Sequence, residues 1–105
     1  MDFKVFLSRE ALNDLERITA YIALHNPGAA ERMGYQLLDT ALSLDTLPER
    51  GRKVPEFPTG EFREIIYRSY RIIYRVQKAD SSVEIVRFWH GARGFPRISE
   101  IGPEL

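Results

Sequence analysis

Residues 63–77 read Arg63-Glu64-Ile65-Ile66-Tyr67-Arg68-Ser69-Tyr70-Arg71-Ile72-Ile73-Tyr74-Arg75-Val76-Gln77, with arginines alternating among β-branched and aromatic side chains. A period of two over such residues is the pattern of half-buried strands, whose two faces meet different surroundings. Along the second half, Tyr70, Ile72, Tyr74 and Val76 fall on one face and Arg71, Ile73, Arg75 and Gln77 on the other. One face is expected to pack and the other to display cations. Arg68-Ser69 breaks the alternation and predicts a tight turn between two strands.

Downstream, Val83 to His90 repeats the alternation after the polar linker Lys78-Ala79-Asp80-Ser81-Ser82. Phe62–Tyr67, Tyr70–Gln77 and Val83–His90 therefore predict a three-stranded meander. Upstream, residues 50–60 hold three basic residues, two prolines and two glycines, which predicts a charged loop. Before it, Ala30, Met33, Leu37, Ala41 and Leu44 recur at helical spacing, with Asn26 placed to cap and Pro27 at the first helical position. A preceding helix follows Ser8 as N-cap, its apolar stripe read through Leu12, Leu15, Ile18 and Ile22, with Asp14 near the polar edge. The short break at His25-Asn26-Pro27-Gly28 implies an antiparallel helical hairpin. Phe3, Val5 and Leu7 alternate at the start and predict a first strand.

The order is β-α-α-β-β-β, an α+β domain in which a helical hairpin covers one face of an antiparallel sheet and leaves the other partly open. At 105 residues there is room for one core, assigned to residues 1–93. Residues 94–105, with Gly94, Pro96, Gly102 and Pro103, are expected to form an irregular tail that a partner orders.

The formal charge of zero conceals an asymmetry: residues 1–49 carry −4, residues 50–97 carry +6, and the last eight residues −2. The basic surplus lies on the predicted sheet, which points to a polyanionic or acidic partner. Cysteine is absent, which removes disulfides, thiolate metal sites and a cysteine nucleophile and agrees with a reducing compartment. Charge enters the first segment at once, so neither a signal peptide nor a membrane span is expected and the chain reads as cytoplasmic. No metal-binding spacing, phosphate loop or dinucleotide fingerprint occurs, so no cofactor is expected.

Arg63, Arg71, Arg75, Arg87 and Arg93 are the candidate binding residues, because a guanidinium fork pairs with phosphate or carboxylate through parallel charge-assisted bonds. The competing reading pairs these arginines with Glu64 and Glu84 across strands. Glu56, Arg71 and His90 are the candidate catalytic set. With the 2′-hydroxyl of RNA as nucleophile, a carboxylate base, a cation for the phosphorane charge and a histidine acid would suffice for metal-free cleavage.

Several stretches resemble the RelE/ParE superfamily of toxins from bacterial type II toxin–antitoxin modules: residues 8–15 at the first helix, Asn26-Pro27-Gly28-Ala29-Ala30, Pro48-Glu49-Arg50-Gly51-Arg52, residues 70–76, and His90-Gly91-Ala92-Arg93. The resemblance implies the β-α-α-β-β-β fold and one of two targets. RelE-like members cleave mRNA on the ribosome, a branch in which Glu56 would match a general base, Arg71 a phosphate-binding arginine and His90 a catalytic histidine. ParE-like members inhibit DNA gyrase. Gly91 stands where the RNase members carry a tyrosine, and the chain runs on for fourteen residues, so the resemblance is stronger to the ParE-like branch. It implies a cognate antitoxin, held in a toxin–antitoxin hetero-oligomer, as partner. A third implied reading is a non-toxic member that acts only by binding antitoxin.

Overall fold

The computed structural model describes residues 2–58 and 60–93, so the predicted tail at 94–105 lies outside the described residues. The chain forms β1 (Lys4–Leu7), α1 (Arg9–Ala23), α2 (Pro27–Leu42), β2 (Arg52–Lys53), β3 (Phe62–Tyr67), β4 (Tyr70–Gln77) and β5 (Ser82–His90), with short 3-10 turns between. The three meander strands match their sequence expectations closely. No described helix is long and apolar enough to cross a membrane.

The sheet order is β1-β5-β4-β3-β2. After the helical hairpin the chain starts at the far edge with β2 and returns strand by strand until β5 lies beside β1. Three pairings are antiparallel, but β1 runs parallel to β5, from Lys4 opposite Ser82 to Leu7 opposite Ile85. Two points correct the sequence expectation: the sheet is mixed, and the charged loop contributes the two-residue edge strand β2. Neither follows from alternation, which sets which face a residue takes and not the direction of its neighbour.

Ser8 caps α1 by accepting from the Ala11 amide at 3.0 Å, and Asn26 caps α2 by accepting from Ala29 at 3.0 Å. The hairpin buries Ala11, Leu37 and Ala41 against Ile72, Tyr74, Val83, Ile85 and Phe88 of the sheet. Leu12, assigned to the apolar stripe, is instead 52% exposed, while Asp14 is only 3% exposed. The buried face of α1 therefore runs through Ala11, Asp14, Leu15 and Ile18, one residue round from the predicted stripe. Leu12 has a different role, lining the outer groove between the helices.

The opposite face of the sheet is not open. Val54, Phe62, Ile73, Val86 and Trp89 form a second buried cluster there, with Phe57 packed on it. Residues 54–57 of the charged loop thus fold back as a lid on this face. The sheet is tied to the loop's start by the Tyr74 hydroxyl, which donates to the Pro48 carbonyl at 2.7 Å and accepts from the Gly51 amide at 3.0 Å. Burial raises the Tyr74 phenol above its ordinary pKa, so it stays a donor. Gly51 leaves room for this contact: a Cβ there would stand 2.5 Å from the Tyr74 hydroxyl and 2.6 Å from the Glu64 carbonyl.

Candidate functional site

On the face away from the helices, each candidate arginine of β4 stands between two carboxylates. Arg71 donates through Nε to Glu64 at 2.6 Å and through Nη2 and Nη1 to Glu56 at 2.7 and 3.2 Å. Arg75 donates through Nε to Glu84 and through Nη1 to Glu61, both at 2.8 Å. The register explains the strand partners. Glu64 lies on β3 opposite Ile73, two positions from Arg71's own partner Ile66 and so on the same face, and Glu84 lies on β5 directly opposite Arg75. Glu64 also holds Arg52 of β2 at 2.6 Å, which ties three strands through one carboxylate.

Arg71 and Arg75 are buried to 8% and 9% exposure, so the expectation of cations displayed on an open face is corrected. The reason is energetic. A guanidinium on a half-buried strand face loses water, and the chain compensates by supplying carboxylates at the neighbouring positions. Arg63 likewise turns inward to donate to the Gly51 carbonyl at 2.8 Å. The pairing with Glu64 and Glu84 exists, but as buried bonds and not as solvated edge pairs.

Hydrogen bonds from Arg71 hold the Glu56 carboxyl below its ordinary pKa of 4.5, with burial opposing and a weaker Coulomb attraction from Arg71 and Arg52 adding to the effect. A lowered pKa means extra stability above pH 4.5 that is lost as pH falls through the folded-state value. Glu56→Gln is accordingly expected to be less stable than the parent near pH 6, with the gap closing toward pH 3; urea denaturation at both pH values measures it, and a gap independent of pH would reject the assignment.

Arg87 occupies a different position. Its Nε and Nη2 grip the Asp14 carboxylate at 2.6 and 2.8 Å, and Asp14 Oδ2 also accepts from the Phe88 amide at 3.1 Å. β1 ends at Leu7 opposite Ile85, so beyond that point β5 has no strand partner on this edge. Side chains at the start of α1 replace one: Ser8 donates to the Val86 carbonyl at 3.0 Å, and Asp14 takes the next amide. The ladder is irregular here, since Ile73 pairs with Arg87 and Tyr74 with Ile85, leaving Val86 as the extra residue. Asp14 escaped the sequence reading, although Ala11, Asp14, Leu15 and Ile18 at spacings of three and four carry the signal of an acid on a core face.

His90 is not brought to Glu56 and Arg71. Side chains alternate along a strand, and the paired residues Tyr70 and His90 take the face opposite to the neighbouring pair Arg71 and Trp89. The imidazole packs edge-on against Tyr70, with ring centroids 5.0 Å apart, and accepts from the Ala92 amide through Nδ1 at 3.0 Å. Arg93 lies over the Trp89 ring at 3.9 Å, and Arg87 approaches the same ring at 4.9 Å. Of the three candidate catalytic residues the fold unites two, Glu56 and Arg71.

Residues 5–95 match the family described as the ParE toxin of the type II toxin–antitoxin system parDE. Toxin RelE1 of Caulobacter vibrioides is 37% identical over 92 residues, spanning 87% of this chain and 96% of that protein. Toxin RelE2 of the same organism is 44% identical over 84 residues, spanning 79% of this chain and 89% of that protein. Among solved structures, the toxin–antitoxin complex RelBE2 from Mycobacterium tuberculosis contains a similar fold at TM-score 0.66 and 21% identity, covering 86% of this chain and 99% of that one. The family match over residues 5–95, nearly the whole described domain, places this chain among the toxins of type II toxin–antitoxin systems, in the ParE family of the RelE/ParE superfamily.

Proposed function

We propose that this toxin acts as a ParE-like inhibitor of DNA gyrase and that a cognate antitoxin neutralises it. The observation that carries the reading is that, among the described residues, the candidate base, cation and acid are not joined in one site. Glu56 is consumed in an ion pair with Arg71, Arg71 is shared with Glu64, and His90 faces the other side of the sheet. A carboxylate held below its ordinary pKa is a weaker base, and a guanidinium between two carboxylates has little positive field left for a phosphorane. What the molecule offers a macromolecular target is surface.

The antitoxin has an apolar place to dock. A groove of about 1150 Å³ runs along the outside of the hairpin, lined by Leu12, Leu15, Ala20, Ala30, Tyr35 and Leu38 among others, with Arg9, Glu16 and Glu31 also along it. An amphipathic segment fits such a groove through anchors one helical turn apart. Because the sheet arginines are already paired, apolar contacts contribute more to this binding than charge.

A second reading, RelE-like cleavage of mRNA on the ribosome, draws support from the 2.7 Å contact between Glu56 and Arg71 and would require RNA to part that pair. A supercoiling assay with purified gyrase decides between them. Excess toxin is expected to suppress supercoiling or to trap cleaved DNA while translated mRNA stays intact in toe-printing. Unimpaired supercoiling together with new cuts in the message would reverse the choice, and inactivity in both assays would leave an antitoxin-binding role alone.

A further inference from the structure

Beyond the paired arginines, on the other side of the sheet from Glu56 and Arg71, lies a second cluster around His90 and Arg93. At the end of the sheet nearest α1, a cleft of about 190 Å³ is lined by Asp14, Arg17, Ile18, Tyr21, Tyr70, Phe88, His90 and Arg93. Its floor is apolar and its walls hold two arginines, a histidine and two phenols. Among the described residues that line it, the only carboxylate is Asp14, which is occupied by Arg87 and the Phe88 amide on one side and by Arg17 on the other.

The two cationic walls differ from those on the other face. Arg17 is bonded to Asp14 through Nη2 at 2.8 Å while its side chain remains 66% exposed, so the rest of its fork faces solvent. Arg93 is exposed and its guanidinium carbon lies 3.9 Å from the centroid of the Trp89 ring, a cation–π contact that does not use its N–H groups. His90 accepts through Nδ1, so a neutral imidazole carries its proton on Nε2 and is a donor there. Burial, with the Tyr21 phenol adding, raises Tyr70 above its ordinary pKa and keeps its hydroxyl protonated. Donors thus come from α1, from β4, from the end of β5 and from the turn after it, around one small space. Tyr21 is 70% exposed, an aromatic surface beside those donors.

We infer that this cleft binds a nucleoside monophosphate or a terminal nucleotide, with Arg17, His90 and Arg93 on the phosphate and the Tyr21 ring on the base. Phosphate is favoured over a carboxylate because donors on several sides suit a tetrahedral group with three free oxygens, whereas a planar carboxylate is satisfied by one fork. A base is favoured as the attached group because an exposed phenol at the mouth provides a stacking surface. The inference holds whichever target the toxin poisons.

Titration of the 15N-labelled full chain with adenosine monophosphate, inorganic phosphate and a short polyglutamate peptide tests it. The nucleotide is expected to shift the amides of Arg17, Tyr21, His90 and Arg93 and to bind several-fold more tightly than inorganic phosphate. An Arg17→Ala, Arg93→Ala variant should lose roughly tenfold or more in nucleotide affinity, as removal of charge-assisted bonds predicts. Tyr21→Leu should weaken the nucleotide and leave inorganic phosphate unchanged. Thermal melts of each variant exclude simple unfolding, since all three side chains are exposed. No shift at about 10 mM nucleotide, where even a millimolar complex would be saturated, overturns the inference. Equal affinity for inorganic phosphate overturns the stacked base, and binding of the peptide alone transfers the cleft to an acidic protein partner.

Discussion

Asp14→Asn is expected to lower the unfolding free energy by about 3–5 kcal/mol, the usual cost of removing one partner from a buried ion pair. The carboxylate is 3% exposed and takes two bonds from Arg87 and one from the Phe88 amide, so its loss removes charge-assisted bonds from a buried guanidinium and the acceptor of a buried amide. A side-chain amide keeps the shape but provides one acceptor and no charge. For a domain of this size that loss corresponds to a melting temperature lower by roughly 15–25 °C, and native stability is itself only about 5–15 kcal/mol. Urea denaturation followed by circular dichroism measures it. A double change, Asp14→Leu with Arg87→Met, should recover much of the deficit, because replacing both partners removes the buried charge together with its carboxylate. A loss under about 1 kcal/mol for Asp14→Asn, the range of an exposed pair, would show that water reaches the pair and that the α1 contact is peripheral.

Trp89→Ala is expected to cost a similar amount, about 3–5 kcal/mol, as large-to-small changes in a core do. Trp89 is 2% exposed and packs in the cluster of Val54, Phe62, Ile73 and Val86, on the face away from the helices. Its ring also supports the guanidiniums of Arg87 and Arg93. As the chain has one tryptophan, the change removes the intrinsic fluorescence probe and circular dichroism must follow the transition. A cost near zero would restore the sequence-based picture of an open, solvated arginine face. Trp89→Phe should cost less than Trp89→Ala, since it keeps much of the buried apolar area.

Both predictions concern residues whose importance depends on neighbours distant in the chain. Asp14 and Arg87 are separated by 73 positions, and Arg71 meets Glu56 across 15. Alternation along β4 correctly placed Arg71 and Arg75 on one face, because side-chain direction in a strand is a local property. What that face meets was not legible, because the loop at 54–57 folds back over it for reasons of apolar contact that no local pattern encodes. The separation of His90 from Arg71 was local in principle. It follows from the pairing of Tyr70 with His90 and Arg71 with Trp89, but it needs the register, which the irregularity at Val86 displaces.

By itself the sequence determined the meander, the two capped helices, the order of the elements and the family they belong to, because periodicity and capping act within a few residues. Tertiary structure alone decided that β1 joins β5 in parallel, that α1 turns Asp14 and not Leu12 inward, and that Arg71 and Arg75 are buried between carboxylates. Those outcomes are set by desolvation. A charge brought close to an apolar sheet loses water and must find an opposite charge, and only the assembled fold determines which one is within reach.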